Sequence, residues 1–140
     1  MTRLDPGRLQ ELLAHAEETY PQECCGFLIG HVTDGVRRVV RVRRAGNVRN
    51  DSPRNRYRIS PEEFREGERD SRLGGMEIVG FYHSHPDVAA LPSDYDRDHA
   101  WPWYVYLITS VVERKAHATM AWVLDDSRSR FRPEALDPGE

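Results

Sequence analysis

The sequence predicts a mixed α/β fold in which one β-sheet is flanked by helices. Short apolar runs bounded by glycine, proline and polar residues recur along the chain, as is typical of strands. Three stretches between those runs carry the start signals of helices. Strands interleaved with helices indicate a sheet with helices packed on it. The 140 residues suit a single domain over positions 1–140, with a polar tail from about Asp125.

Three helices are predicted from local start and stop residues. Asp5 and Pro6 supply an N-cap and a first-turn proline, and a stripe of apolar residues at helical spacing follows them. Ser60 begins a capping box, and Gly74 with Gly75 ends the helix that this box starts. The predicted helices cover the stretch after Asp5 up to Tyr20, residues 60–73 and residues 93–99.

Strands are predicted where β-branched and apolar residues cluster. The predicted strands cover residues 24–29, 36–42, 57–59, 76–82, 104–112 and 118–124. Gly30 is expected to close the first of them, and the continuous apolar run at 104–112 predicts a central strand covered on both sides. Residues 45–55 are polar and predict a loop, and the tail is expected to fray after Pro133.

Composition excludes several classes of function. The net charge of −3 argues against nucleic acid as the main partner. No apolar run approaches the roughly 20 residues that span a membrane. The first residues lack the apolar region of a signal peptide, so a cytoplasmic protein is expected.

Two further features of the composition have alternative interpretations. Cys24 and Cys25 are adjacent, so no disulfide framework is expected; they are predicted as small buried side chains, with a thiol near a metal as the alternative. Nine of the arginines lie between Arg37 and Arg58. These arginines predict solvated strands and a loop, with a docking patch for an acidic protein as the alternative.

The segment Gly80–Asp96 carries the candidate chemistry. His83 and His85 are two residues apart at the end of a strand, so both face one side of the sheet while Ser84 faces the other. Asp96 lies near the start of the following helix and can supply a third ligand. Two imidazoles and a carboxylate with an open fourth position form a typical catalytic zinc site.

Each of these residues also has an ordinary structural interpretation. A lone buried histidine is more often a core residue than a ligand, and Ser-x-x-Asp is itself a capping box. Asp94, Asp98 and His99 are weaker candidate ligands near Asp96. Ser84 is expected to be a hydrogen-bonding strand residue.

The pattern His-Ser-His-Pro, six residues, then Ser-x-x-Asp resembles the JAMM motif of the MPN-plus metalloproteases. The upstream segment from Pro21 to Gly30, which contains Glu23, is similar to the second conserved element of that family. The resemblance implies a cytidine-deaminase-like three-layer fold and one zinc ion per chain. It assigns His83, His85 and Asp96 as metal ligands.

The resemblance also implies catalytic roles for Glu23 and Ser93. Glu23 would be the general base that takes a proton from the zinc-activated water and passes it to the leaving amine. Ser93 would donate a hydrogen bond to the oxyanion of the tetrahedral intermediate. The zinc would bring the pKa of its water to about 7.

The implied substrate is a ubiquitin-like protein. The short bacterial members that this chain resembles process sulfur-carrier proteins with a C-terminal Gly-Gly, cutting an amide or isopeptide bond after the last glycine. An extended tail laid along a sheet edge between the loops at 45–55 and 87–92 is expected. A homodimer is left open, and neither nucleic acid nor membrane is expected as a partner.

Two rival functions follow from related arguments. The chain could be a non-catalytic MPN-type scaffold, although a scaffold has no chemical need for all five motif residues. A zinc deaminase would need H-x-E and P-C-x-x-C, whereas the two cysteines here are adjacent and precede the histidines.

Overall fold

A computed structural model describes residues 1–47 and 57–139, and over these residues the chain forms three helices and eight strands. The helices are α1 (Pro6–Thr19), α2 (Pro61–Leu73) and α3 (Asp94–His99). The strands are β1 (Thr2–Arg3), β2 (Cys25–Thr33), β3 (Val36–Ala45), β4 (Glu77–Pro86), β5 (Val105–Val112), β6 (Lys115–Leu124), β7 (Phe131–Glu134) and β8 (Leu136–Asp137). None of the described helices is long and apolar enough to cross a membrane.

All the described strands belong to one mixed sheet with the order β7-β6-β5-β4-β2-β3-β1-β8. The central pair β4 and β5 is parallel, while β2 is antiparallel to both β3 and β4. The outermost strands, β7 and β8, are separated in the chain by Ala135 alone. The sheet therefore curves until its two outer edges come together.

The sheet has helices on both of its faces. One core cluster contains Leu12 and Ala16 of α1 together with Leu28, Val79 and Leu107 of the sheet. The other contains Phe27, Phe81 and Tyr106 of the sheet, with Phe64 of α2 packed against them. Successive strand residues alternate between these clusters, as the pleat requires. The predicted three-layer α/β arrangement is confirmed.

The predicted helix starts are confirmed by their caps. The Asp5 side chain accepts a hydrogen bond from the backbone N–H of Arg8 at 2.9 Å, and Ser60 Oγ accepts one from Glu63 at 3.1 Å. Asp5 and Ser60 thus satisfy backbone donors that the first turn of a helix leaves unpaired.

Three expectations about the strands are wrong. Gly30 does not end β2; it lies at a bulge where a Cβ would come within 1.8 Å of the Arg38 carbonyl, so only glycine lets β3 approach. Residues 57–59 form no strand. The tail does not fray after Pro133, because β8 pairs with β1. The predicted loop at 45–55 lies outside the described residues from 48 onward.

Candidate metal centre

The centre lies where the start of β2 meets the end of β4. Cys25 pairs with His83 in the antiparallel ladder, so the segment that carries Glu23 lies directly beside the histidines. Ser84 Oγ accepts a hydrogen bond from the Cys24 backbone N–H at 2.8 Å, and the Ser84 N–H donates to the Cys24 carbonyl. Ser84 therefore fixes Glu23 relative to β4, and its predicted role as a hydrogen-bonding strand residue is confirmed.

The two histidines face the same side of β4, as predicted. Their ring centroids are 5.1 Å apart, and α3 brings the Asp96 carboxylate against both rings. Nε2 of His83 lies 3.2 Å from Oδ1 of Asp96, and Nε2 of His85 lies 3.1 Å from Oδ2. One carboxylate thus spans two imidazoles.

Glu23 completes the cluster from the segment just before β2. Ligand atoms of Glu23, His83 and His85 all lie within 4.8 Å of one another, and the three side chains are buried. Oε1 of Glu23 and Nδ1 of His83 have no hydrogen-bond partner among residues 1–47 and 57–139. Buried polar atoms without partners are rare, and they mark a place where a ligand or ion is expected.

Contacts around the histidines fix their rings. Nδ1 of His85 lies 3.0 Å from the Ala89 carbonyl, which can only accept, so Nδ1 carries the proton and directs Nε2 at the cluster. The ring of Tyr57 stacks on His83, with centroids 4.4 Å apart and planes inclined by 24°. Such outer contacts typically hold metal-binding imidazoles in place.

The two carboxyl groups of the centre have opposite electrostatic behaviour. Burial, together with the nearby Asp96 charge, raises the pKa of Glu23 to about 9. Burial also acts to raise the pKa of Asp96, but the charge of His83 and the contacts from both histidines hold it well below its usual range. Asp96 is thus the permanent anion of the pair.

These observations fit a divalent cation. His85 offers an Nε2 lone pair once its proton is on Nδ1, and His83, Asp96 and Glu23 offer further acceptor atoms at the same point. Without a cation, these buried acceptor atoms face one another with few hydrogen-bond donors to stabilise them. Imidazole and carboxylate ligands suit several divalent transition metals, of which zinc is one.

Ser93 caps α3. Its Oγ accepts a hydrogen bond from the Asp96 N–H at 3.0 Å, and Asp96 Oδ2 accepts one from the Ser93 N–H at 2.9 Å. The predicted capping box is therefore present, and it fixes the Asp96 carboxylate as well as the helix. The weaker candidates Asp94, Asp98 and His99 are all exposed, whereas Asp96 is buried.

The structure also shows the surroundings of the two cysteines and of the arginine-rich strands. Cys24 and Cys25 are free, buried thiols, as predicted. Several arginines of the predicted patch already contact acids of their own chain: Arg37 with Glu134, Arg41 and Arg43 with Asp70, and Arg44 with Glu18. Arg49, Arg54 and Arg56 lie outside the described residues. The described strands thus have less free positive charge than the sequence suggests.

Sequence reasoning missed the residues that surround the centre. Tyr57 was expected on a strand, not against His83. The Tyr20 hydroxyl donates to the Asp87 carboxylate at 2.7 Å, which ties the end of α1 to the loop after β4. Only the position of Tyr20 just before the Glu23 segment hints at this contact in the sequence.

Comparisons with known proteins agree with this geometry. Residues 7–125 match the family model described as prokaryotic homologs of the JAB domain. The chain is 40% identical over 104 residues to the desampylase of Haloferax volcanii, covering 71% of this chain and 73% of that protein. It is 32% identical over 113 residues to the rat Lys-63-specific deubiquitinase BRCC36, covering 60% of this chain but only 39% of that protein.

A solved structure agrees over nearly the whole chain. The solution structure of a protein from Desulfitobacterium hafniense superposes with a TM-score of 0.85 at 30% identity, covering 97% of this chain and 91% of the other. The family model spans both motif segments, including Glu23 and Asp96. The chain therefore belongs to the prokaryotic homologs of the JAB domain, within the JAMM/MPN family, and is a JAMM-type hydrolase.

Proposed function

We propose that this chain is a zinc-dependent peptidase that cleaves the amide or isopeptide bond after the C-terminal glycine of a ubiquitin-like protein. The observation that carries the proposal is the convergence of Glu23, His83, His85 and Asp96 in one buried cluster. The relatives support an isopeptidase that acts on ubiquitin-like proteins, since one is a desampylase and another is a deubiquitinase.

His83, His85 and Asp96 would hold the ion. A bound zinc ion would supply a Lewis acid that makes water nucleophilic near neutral pH. Glu23 would accept the water proton on its carboxylate and deliver it to the leaving amine, because it lies against the histidines on a separate segment. A cation held by the neighbouring ligands would favour the ionised form of Glu23 that accepts the proton, and burial favours the protonated form that holds it between the two steps.

Ser93 would donate to the oxyanion. Its capping bond uses a lone pair on Oγ, since the Asp96 N–H is the donor. A hydroxyl that accepts in this way keeps its own proton free. Capping and oxyanion stabilisation are therefore compatible at Ser93.

More specifically, the proposed substrate is a ubiquitin-like sulfur carrier with a C-terminal Gly-Gly. The proposed location of the protein is the cytoplasm. Glycine permits close approach of the substrate backbone to a buried centre. The candidate residues lie just before β2, on β4 and at α3, and not on the outer strands. The tail is therefore expected to reach the middle of the sheet instead of extending its outer edge.

The metal assignment is tested by elemental analysis. Purified protein should carry about one zinc per chain. His83→Ala and Asp96→Ala should each lose most of it, while His117→Ala, which alters an exposed histidine, should keep it. Full zinc content in both site variants would rule out the assignment.

The substrate class is tested by mass spectrometry. A ubiquitin-like carrier with one extra residue after Gly-Gly should lose that residue on incubation with the protein, and a chelator should prevent the loss. Replacing the penultimate glycine of the carrier with a bulky residue should abolish cleavage without changing the zinc content. Zinc-loaded protein that leaves every such carrier intact would favour the scaffold alternative.

A further inference from the structure

An aromatic pocket of about 480 Å³ opens beside the candidate metal centre. Ile59 and a set of aromatic rings from four parts of the chain line it. The aromatic residues are Tyr57, Phe64, Phe81, Tyr95, Trp101 and Tyr106. A concave, largely aromatic surface of this size has ample room for a large apolar side chain.

The pocket adjoins the reacting groups. Asp96 forms part of its wall, and the same carboxylate contacts both histidines. Tyr57 also lines the pocket and stacks on His83. A side chain in the pocket therefore belongs to a residue next to the bond that is cut.

The position of that residue follows from the proposed function, on which this inference rests. The residues before the bond are glycines, which have no side chain to fill the pocket. The side chain must then come from the other side of the bond, from the residue that is released. Hydrolysis adds water to the glycine carbonyl carbon, breaks the C–N bond and leaves that residue with a protonated amine.

Basic groups also line the pocket. Arg58 is exposed, and its backbone N–H bonds to Asn47 while its guanidinium has no acidic partner among residues 1–47 and 57–139. His99 lines the pocket too, with Nδ1 held by the Tyr95 carbonyl. The Asp96 carboxylate is already matched by the histidines. An unpaired guanidinium beside an apolar pocket suits a carboxylate next to an apolar side chain.

We propose that the pocket binds the released residue, that this residue has a large aromatic or aliphatic side chain, and that Arg58 pairs with its C-terminal carboxylate. The protein would thus remove one apolar amino acid from the end of a Gly-Gly tail. A lysine side chain in an isopeptide bond would fill the pocket less well and would bring no carboxylate to Arg58.

Matched peptides test the proposal with the zinc-loaded protein. A Gly-Gly-Phe peptide with a free C-terminus should be cleaved with a kcat/KM at least about 10-fold higher than the Gly-Gly-Gly peptide, given the burial of a phenyl ring. The C-terminal amide of Gly-Gly-Phe should be about 2- to 5-fold poorer than the free acid, the range expected for an exposed ion pair.

Paired variants locate the two effects. Trp101→Ala should reduce the preference for Phe over Gly by at least about 3-fold, because it opens the pocket wall. Trp103→Ala is the control, since Trp103 is exposed nearby and does not line the pocket. Arg58→Gln should abolish the difference between acid and amide, whereas Arg69→Gln, on the exposed surface of α2, should retain it.

A binding measurement separates this inference from the proposed function. Calorimetry with Glu23→Gln should detect tighter binding of Gly-Gly-Phe than of Gly-Gly-Gly, even if no peptide is cleaved. If the parent protein cleaved neither peptide while the variant still bound Gly-Gly-Phe more tightly, only the proposed chemistry would be contradicted. Equal binding of the two peptides, or equal cleavage, would overturn the pocket assignment.

Discussion

Glu23 has an unfavourable environment for a charged carboxylate in the protein without metal. Its side chain is 2% exposed, and Oε1 has no partner among the described residues. Burial raises the pKa of Glu23 to about 9, above the value near 4.5 of the unfolded chain. The folded state therefore binds more protons than the unfolded state between those values, so Glu23 lowers stability progressively as the pH rises from about 4.5 to about 9.

Glu23→Gln should remove this pH dependence. In chelator-treated protein, we compare the free energy of unfolding of the variant with that of the parent. This difference should shift in favour of the variant by at least about 1 kcal/mol from pH 5 to pH 8. Urea titrations across that range measure the difference. Glu68→Gln, at an exposed position of α2, is the control and should show no such gain. A parent and variant with parallel pH profiles would contradict the prediction.

The same substitution distinguishes a base from a ligand in the loaded protein. Since Glu23 is proposed as the base, Glu23→Gln should keep its zinc while hydrolysis falls by at least about 10²-fold. Elemental analysis and a cleavage assay on one preparation make the test. Loss of zinc would make Glu23 a ligand and would require another base.

Ser93 has two separable roles, the cap of α3 and the proposed donor to the oxyanion. Glycine is a tolerable N-cap that costs only a few tenths of a kcal/mol relative to serine, but it has no hydroxyl. Ser93→Gly should therefore nearly keep stability and zinc while lowering kcat by about 10²-fold. Ser93→Thr should retain most of the activity.

The N-cap of α2 provides the matched control for Ser93. Ser60→Gly removes the same kind of capping bond, and should leave kcat unchanged. An active Ser93→Gly variant would show that Ser93 only caps its helix.

The candidate ligands were predictable because they depend on short spacings. Alternation along a strand places His83 and His85 on one face, and one helical turn separates Ser93 from Asp96. The surroundings were not predictable, since Tyr57 reaches His83 and Tyr20 reaches Asp87 only through packing between distant segments. Likewise, no local pattern places Phe64, Phe81 and Tyr106 around one pocket.

At the scale of elements, β4 positions the histidines, and Gly80 allows β4 to fit between its neighbours. A Cβ on Gly80 would lie 2.1 Å from the Val105 carbonyl oxygen and 2.6 Å from Val105 Cγ1, in β5. The backbone oxygen cannot move without breaking the ladder that continues to His83. Gly80→Ala should therefore lower the free energy of unfolding by about 1–3 kcal/mol and weaken zinc binding.

Gly46→Ala is the control for Gly80→Ala. The nearest atom to a Cβ at Gly46 is the Glu63 carboxylate at 3.2 Å, the end of a flexible side chain that can shift. Denaturation curves and zinc affinity should therefore stay close to those of the parent. Equal effects of the two substitutions would mean that strand spacing at Gly80 is not limiting.

Helices were more predictable than short strands for a physical reason. Asp5, Ser60 and Ser93 satisfy backbone donors within their own helices, so the signal is local. The strands β1 and β8 have two residues each and exist through pairing with each other and with β3. Strand pairing between residues more than 130 positions apart leaves no periodic pattern in the sequence.

At the scale of the whole molecule, Glu134 lies where the two outer edges of the sheet come together. It ends β7, next to Ala135, and its carboxylate accepts hydrogen bonds from Thr2 Oγ1 at 2.8 Å and from the Arg37 guanidinium. The amino terminus of Met1 lies 3.5 Å from the same side chain. Arg37 also donates to the carbonyl of Trp103, before β5. These contacts link β1, β3 and β7 with the start of β5.

Glu134→Ala should therefore loosen the closure of the sheet without altering the candidate metal centre. The side chains of Glu134 and Arg37 are each only 14% exposed, so removing one partner leaves a largely buried charge unpaired, and the free energy of unfolding should fall by about 1–3 kcal/mol. Glu66→Ala is the control; Glu66 is 68% exposed and lies 3.6 Å from Arg43, so it should cost less than about 0.5 kcal/mol. Urea denaturation measures both. His83, His85 and Asp96 lie on inner elements, so the zinc content of Glu134→Ala should stay at the parent level below the melting transition. Loss of zinc from the folded variant would mean that closure of the sheet edges and the metal centre are coupled.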